Sequence, residues 1–223
     1  MQTEPKLTVS GYRGVWQVSL TNEVVENYTL AFIKFIKENI NDNPTILIGR
    51  DGRESGPVIK ETIIKTLNIL GINFIDGDIL PTPTVLFAVK KHKYDGAIII
   101  TASHNPREYN GLKFVTDKAL FTNEEEVEKI KNNYEEIVNK KLPQNIPSGS
   151  TDIFLLKNSS CSRRRAPKSS IRNILFSFFK NNIFPQDFNL PQEHADQILK
   201  NINVEKIHAR KFKVAVDMIN ASA

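Results

Sequence analysis

Three short apolar runs set the frame for this chain: TILIGRD (45–51), INFIDGDIL (72–80) and YDGAIIIT (94–101). Each has the length and β-branched content of a buried strand, and each is bounded by stretches of helical spacing. LTNEVVENYTLAFIKFIKENI places Val24, Val25, Tyr28, Phe32, Phe35 and Ile36 on one stripe, with Thr21 as the expected cap. SGPVIKETIIKTLNILG takes Ser55 or Gly56 as its cap, Pro57 in its first turn and Gly71 at its close. PTPTVLFAVKKHK reads as a third helix. In ALFTNEEEVEKIKNNYEEIVNKK, Thr122 and Glu125 have the spacing of a capping box, with glutamates at the start and lysines at the end. KLTVSGYRG reads as a short strand running into a glycine-flanked loop. Strands alternating with helices predict an α/β layered sheet.

The pattern changes near residue 142. The stretch 143–192 is rich in Pro, Ser, Asn and Arg, lacks a period, and is expected to be a linker or insertion, partly disordered. Helical spacing returns in EHADQILKNINVEKIHARK, and FKVAVDMIN reads as a strand. The expected organisation is one α/β domain over 1–142 and the truncated start of a second over 193–223.

Bulk properties exclude several classes. A single cysteine, Cys161, rules out an internal disulfide framework. The start MQTEPKLTVSG has no signal-peptide pattern, and no run approaches the ~18 apolar residues of a membrane span. A cytoplasmic protein without a membrane partner is the expectation. Thirty basic against 25 acidic residues give +5, compatible with anionic small molecules such as phosphate esters. The run Arg163-Arg164-Arg165 with Lys168 has no interleaved aromatics for stacking, so no nucleic-acid partner is expected.

Chemistry concentrates where strands end. AIIITASHNPREYNGLKF (97–114) breaks an apolar run with Thr101-Ala102-Ser103-His104-Asn105-Pro106. In open α/β sheets, ligands bind outside the carboxyl ends of strands. Ser103 there would offer an exposed hydroxyl on a rigid support, with the His104 imidazole beside it. Pro106 stiffens the turn, Asn110-Gly111 reads as a second turn, and Lys113 follows as a charge for an anion. Gly11-Tyr12-Arg13-Gly14 and Gly49-Arg50-Asp51-Gly52-Arg53 each put arginine in a glycine-permitted loop after a strand. The guanidinium fork suits phosphate oxygens, and the helix from Ser55 adds free N–H groups. Alone, each stretch reads as polar surface; together they suggest a shared phosphate site.

T-A-S-H-N-P followed by Y-N-G-x-K, with G-R-D-x-R upstream and G-x-R-G near the N-terminus, resembles the α-D-phosphohexomutase superfamily. The likeness covers residues 6 to about 140 and resumes at about 194–220. It implies a three-layer α/β/α sandwich with a mixed, mostly parallel sheet, then an irregular segment and an incomplete second α/β domain. It implies that Ser103 carries a phosphoryl group and exchanges it with a hexose phosphate through a bisphosphorylated sugar, which also serves as activator. Phosphate then moves between C1 and C6. His104 is expected beside the reacting oxygens, Arg13 near the phosphoserine, and Lys113 as a candidate base. Tyr12, Arg50, Arg53, Asn105 and Asn110 form the expected phosphate- and substrate-binding set, with structural support equally open for Arg50 and Arg53. Mg²⁺ is the implied cofactor, with Ser103 contributing a ligand through its phosphate.

The sequence also departs from the family pattern. The aspartate-rich D-G-D-x-D-R metal loop is absent, as are the later loops that choose the sugar and hold its phosphate. Ala221 stands where a glycine usually follows the asparagine. These 223 residues alone are therefore expected to be inactive, as a fragment of a mutase. Glucosamine phosphate is the leading substrate, mannose and glucose phosphates are close behind, and a non-catalytic phosphate-binding remnant is the alternative.

Overall fold

The computed structural model describes residues 7–140 and 189–215. Five strands, β1 (Tyr12–Val15), β2 (Thr45–Arg50), β3 (Asn73–Ile79), β4 (Gly96–Ile100) and β5 (Tyr109–Thr116), form one sheet in the order β1-β5-β4-β2-β3. β2 pairs in parallel with β3 and β4, while β5 is antiparallel to both β4 and β1. Four strands thus run one way and β5 alone is reversed, giving the mixed, mostly parallel sheet.

Alternation along the strands divides the core in two. Ile46, Ile48, Ile98, Ile100, Leu112 and Phe114 face helices α1 (Asn22–Asn39) and α2 (Gly56–Ile69). Leu47, Ile75, Ala97, Ile99 and Val115 face α3 (Thr82–His92). A period of two therefore supplies both faces of a three-layer sandwich. On the first face the Phe32 ring stacks on Phe114 at 4.6 Å, and Tyr28 sits between Tyr12 and Tyr134. Tyr134 belongs to α4 (Glu124–Lys140), which lies along α1 and joins it through the Lys34–Glu136 ion pair and an Asn133 bond to Ala31 O.

Helix ends match the expectations in part. Thr21 Oγ1 accepts from Val24 N, and Gly71 closes α2 at φ +66°. Ser55 stands at the cap of α2 but makes no capping bond, because its Oγ accepts from Asn110 instead. The capping box of α4 lies one residue later than expected. Asn123 Oδ1 accepts from Glu126 N and Glu126 Oε2 from Asn123 N, both at 2.9 Å, whereas Thr122 is buried with its N–H on Phe114 O.

Two segments expected to be loops are strands. Gly11–Gly14 is not a loop after a strand: a Thr8–Gly11 turn leads into β1, and Arg13 lies within that strand. Asn110-Gly111 is not a turn but the second and third positions of β5. A Cβ on Gly111 would stand 2.3 Å from Tyr12 O and 3.0 Å from Thr101 O, so glycine serves here for close backbone approach rather than positive φ.

The expected linker, with Cys161 and the basic run 163–165, lies outside the described residues apart from its last positions. From 189 the chain forms α5 (Leu190–Leu199) and α6 (Val204–Ala209). α5 packs on α3. Leu190 enters the second core, the His194 ring stacks on Phe87 at 4.8 Å, and the Glu193 carboxylate meets Lys91 and His92. Of the strand expected over 212–220, residues 212–215 form no regular element and the rest lies outside the described residues.

Candidate active site

Pairing brings Arg50 opposite Ile100, Ile100 opposite Leu112, and Arg13 opposite Gly111. The carboxyl ends of β2 and β4 and the start of β5 therefore share one sheet edge. Loops 51–55 and 101–108 stand side by side on it. Ser103 is exposed at the tip of the second loop and adopts φ +57°, the left-handed region that side-chain-bearing residues rarely occupy. Its N–H donates to the buried Thr101 Oγ1 at 3.0 Å, and Asn105 N–H closes the next turn on Ala102 O. The Ser103 hydroxyl and the exposed His104 ring make no hydrogen bond to another described residue.

Beneath this loop lies Arg53. Its Nη1 donates to Pro106 O (2.7 Å) and Tyr109 O (3.0 Å), its Nη2 to Ser103 O (2.9 Å) and Asn105 O (2.7 Å), and its Nε to Asp51 Oδ2 (3.2 Å). A guanidinium has five N–H donors, and all five are engaged. Asp51 Oδ1 also accepts the Arg53 N–H, so one carboxylate fixes both ends of the residue. Arg50 is similarly occupied, with Nε on Asp78 Oδ1 at 2.8 Å and Nη1 on Asp51 O at 3.1 Å.

Arg13 and Lys113 are differently placed. Residues 13, 111 and 113 share one face of the sheet, and the Arg13 stem lies across the bare Gly111. Arg13 Nη1 reaches Asn105 Oδ1 at 3.3 Å, while its Nε is buried without a hydrogen-bond partner among the described residues. An unsatisfied donor on a cation, linked through Asn105 to the serine loop, suits an anionic oxygen. Lys113 stands on the same face with its ammonium 5.3 Å from the Phe121 ring centre. Burial and then the Arg13 charge hold its pKa below the ordinary lysine value, which favours proton exchange.

Two expected ligand groups face inward. Tyr12 is a core residue: its ring packs on Tyr28 at 4.8 Å, its hydroxyl donates to Ser19 O at 2.6 Å, and burial pushes its pKa up to about 12. Asn110 is fully buried, donating to Ser55 Oγ at 2.8 Å and accepting Gly111 N–H, which ties α2 to β5. Asp51 and Thr101, which are not candidates from the sequence, also build this edge, as does Ser55 through its side chain and not only the helix it opens. Each stands inside or beside a quoted motif, but each acts on backbone or neighbouring side chains rather than on solvent.

A metal would need more than this edge provides. Among the described residues no three His, Cys, Asp or Glu side chains converge, and the Asp51 carboxylate is already engaged by Arg53. The residues present do not form a Mg²⁺ site by themselves. No helix among the described residues is long and apolar enough to cross a membrane.

Comparison with known proteins shows the family and the fold. Residues 5–141 match the family model described as phosphoglucomutase/phosphomannomutase, alpha/beta/alpha domain I. A phosphoglucosamine/phosphogalactosamine mutase of Sulfurisphaera tokodaii is 29% identical over 211 residues, 95% of this chain and 38% of the relative. A phosphoglucosamine mutase of Prochlorococcus marinus subsp. pastoris is 44% identical over 103 residues, 46% of this chain and 22% of the relative. Among solved structures, a phosphoglucomutase/phosphomannomutase family protein from Burkholderia thailandensis superposes with TM-score 0.53 at 27% identity, covering 63% of this chain and 31% of that one. The chain thus spans well under half the length of these relatives.

Proposed function

Because the chain belongs to the phosphoglucomutase/phosphomannomutase family, we propose that it is the phosphoryl-carrying first domain, with the opening of a second, of a mutase that interconverts hexose 1- and 6-phosphates. The observation that carries the reading is Ser103: an exposed hydroxyl at the carboxyl edge of the sheet, in a left-handed backbone, with Arg13 and Lys113 on the adjoining face. Phosphoryl transfer is chiefly positioning and charge neutralisation, and this edge has groups for both.

In this reading phosphorylated Ser103 first gives its phosphoryl group to a hexose monophosphate. The sugar hydroxyl oxygen forms the new O–P bond, the Oγ–P bond breaks, and the sugar's proton passes by way of Lys113 to the freed Ser103 Oγ. The bisphosphate then turns over and returns its other phosphoryl group to Ser103 Oγ, whose proton passes to the departing sugar oxygen. The Arg13 guanidinium neutralises charge on the serine phosphate, and His104 borders the reacting oxygens. Mg²⁺, when bound, would add charge neutralisation at that phosphate, with ligands beyond the described residues. Tyr12 and Asn110 serve packing rather than substrate.

The substrate we favour is glucosamine phosphate, the sugar class in the names of several relatives, with mannose and glucose phosphates next. Without the remaining domains we expect the 223 residues to turn over no substrate. A cytoplasmic setting fits a phosphate-ester substrate.

The test is intact mass and phosphopeptide mapping of the native protein from its source cells, followed by assay on hexose phosphates. A mass above 25.3 kDa, phosphate on Ser103 and mutase turnover are expected. An unphosphorylated Ser103 in a protein that turns over no hexose phosphate would overturn the reading.

A further inference from the structure

We infer that Arg53 is a positioning residue: it grips the Ser103 loop by its backbone carbonyls and holds the serine in the left-handed conformation, without touching phosphate. The inference rests on the proposed role of Ser103, but the geometry behind it is independent of that role. Four carbonyl oxygens from residues 103, 105, 106 and 109 converge on one guanidinium, and the fifth donor is held by Asp51. Nothing on the fork is left to meet a substrate oxygen. Loop carbonyls repel one another when gathered at one point, so a partly buried cation at their centre is what makes that arrangement favourable.

The consequence falls on Ser103. Its flanking amide groups are both tied, the N–H to Thr101 Oγ1 and the C=O to Arg53 Nη2. With the two peptide planes fixed, φ is held at +57° and the side chain can leave the loop only on the solvent side. Asp51 supports the clamp by accepting both the Arg53 N–H and Nε–H. Lysine cannot replace this arrangement, because a single ammonium has three donors diverging from one atom and cannot bridge four carbonyls and a carboxylate.

The experiment uses the protein at its native length, as wild type, Arg53→Lys and Asp51→Asn. Amide exchange over residues 101–109 is followed by mass spectrometry beside that of the strands. Turnover is measured as kcat and KM, and the ³¹P signal of phosphoserine is titrated with pH. In Arg53→Lys, exchange in the loop should rise about tenfold or more while the strands keep theirs. The kcat should fall on the order of 100-fold, as for an ångström-scale misplacement, with KM moving far less. The phosphoserine titration midpoint should stay in place. Asp51→Asn should shift exchange and kcat in the same direction by less, and it carries the test if Arg53→Lys does not fold. Unchanged loop exchange in both variants would overturn the inference. So would a raised ³¹P midpoint with an ordered loop, because Arg53 would then be a direct phosphate ligand. If wild-type Ser103 carries no phosphate, the proposed function fails, while the exchange measurement still decides the clamp.

Discussion

Ser103 should be more stable as glycine than as alanine. The residue sits at φ +57°, where a Cβ crowds the following carbonyl at a cost of about 1–2 kcal/mol. Glycine escapes that cost but gives the unfolded chain more freedom, which offsets about 0.4–1 kcal/mol. The difference leaves Ser103→Gly above Ser103→Ala by about 0.5–1 kcal/mol. Alanine is the right reference, since both variants lack the hydroxyl, and that hydroxyl makes no bond to another described residue. Neither variant disturbs the Thr101 and Arg53 contacts, which use only the backbone of residue 103. The assay is urea unfolding of the two variants at equal m, with a thermal melt as a second measure; about 1–4 °C is expected for a chain of this size. Both should lose phosphoryl uptake completely. If alanine is as stable as glycine, Ser103 is not left-handed in solution, and the account of how the serine is presented is wrong.

Further outcomes follow from single contacts. Tyr12→Phe removes a 2.6 Å bond to Ser19 O and should cost about 1 kcal/mol in urea unfolding while leaving Ser103 phosphorylation intact; lost phosphorylation in a folded variant would return Tyr12 to the substrate site. Asn123→Ala should cost about 1 kcal/mol and Glu125→Ala no more than about 0.5, and the reverse order would restore the box one residue earlier. Lys113 has a folded pKa below its unfolded value, so between the two the unfolded chain binds more protons and stability rises with pH. That rise should lie in the alkaline window just below 10.5 and vanish in Lys113→Met; the same slope in both proteins would refute it. Arg13→Met should bring the Lys113 pKa part of the way back, because burial remains the larger cause.

The elements legible in the sequence were those whose reasons are local. Helix α1 shows its stripe and its Thr21 cap, and β2 and β4 are bare apolar runs, so period and composition suffice for them. Strand β5 was hidden because YNGLKFVT opens on Asn-Gly, which in an isolated segment favours a turn. What makes it a strand is tertiary: three backbones meet at Gly111, and only a residue without Cβ lets Tyr12 O and Thr101 O come so close. The one-residue error at α4 has a similar source, since Thr122 had the right side chain for a cap but lies buried against β5, leaving Asn123 to do it.

The same distinction explains which site residues could be read. Ser103, Arg13 and Lys113 stand out in the sequence because the chemistry proposed for them lies in the side chain. Arg53 is visible as an arginine, but the sequence leaves phosphate contact and structural support equally open for it, because its partners are carbonyl oxygens 50 to 56 positions away along the chain. A carbonyl has no letter in a sequence. Any residue type can supply one, so a clamp on backbone leaves a mark only on the donor and none on the loop it holds. A strained serine needs such a clamp: its own side chain must stay free to react, and only its peptide groups can be tied down. An arginine within a few residues of a strand end, beside an aspartate that can orient it, is therefore as good a pointer to a held loop as to an anion. Here the count of its donors decides for the loop.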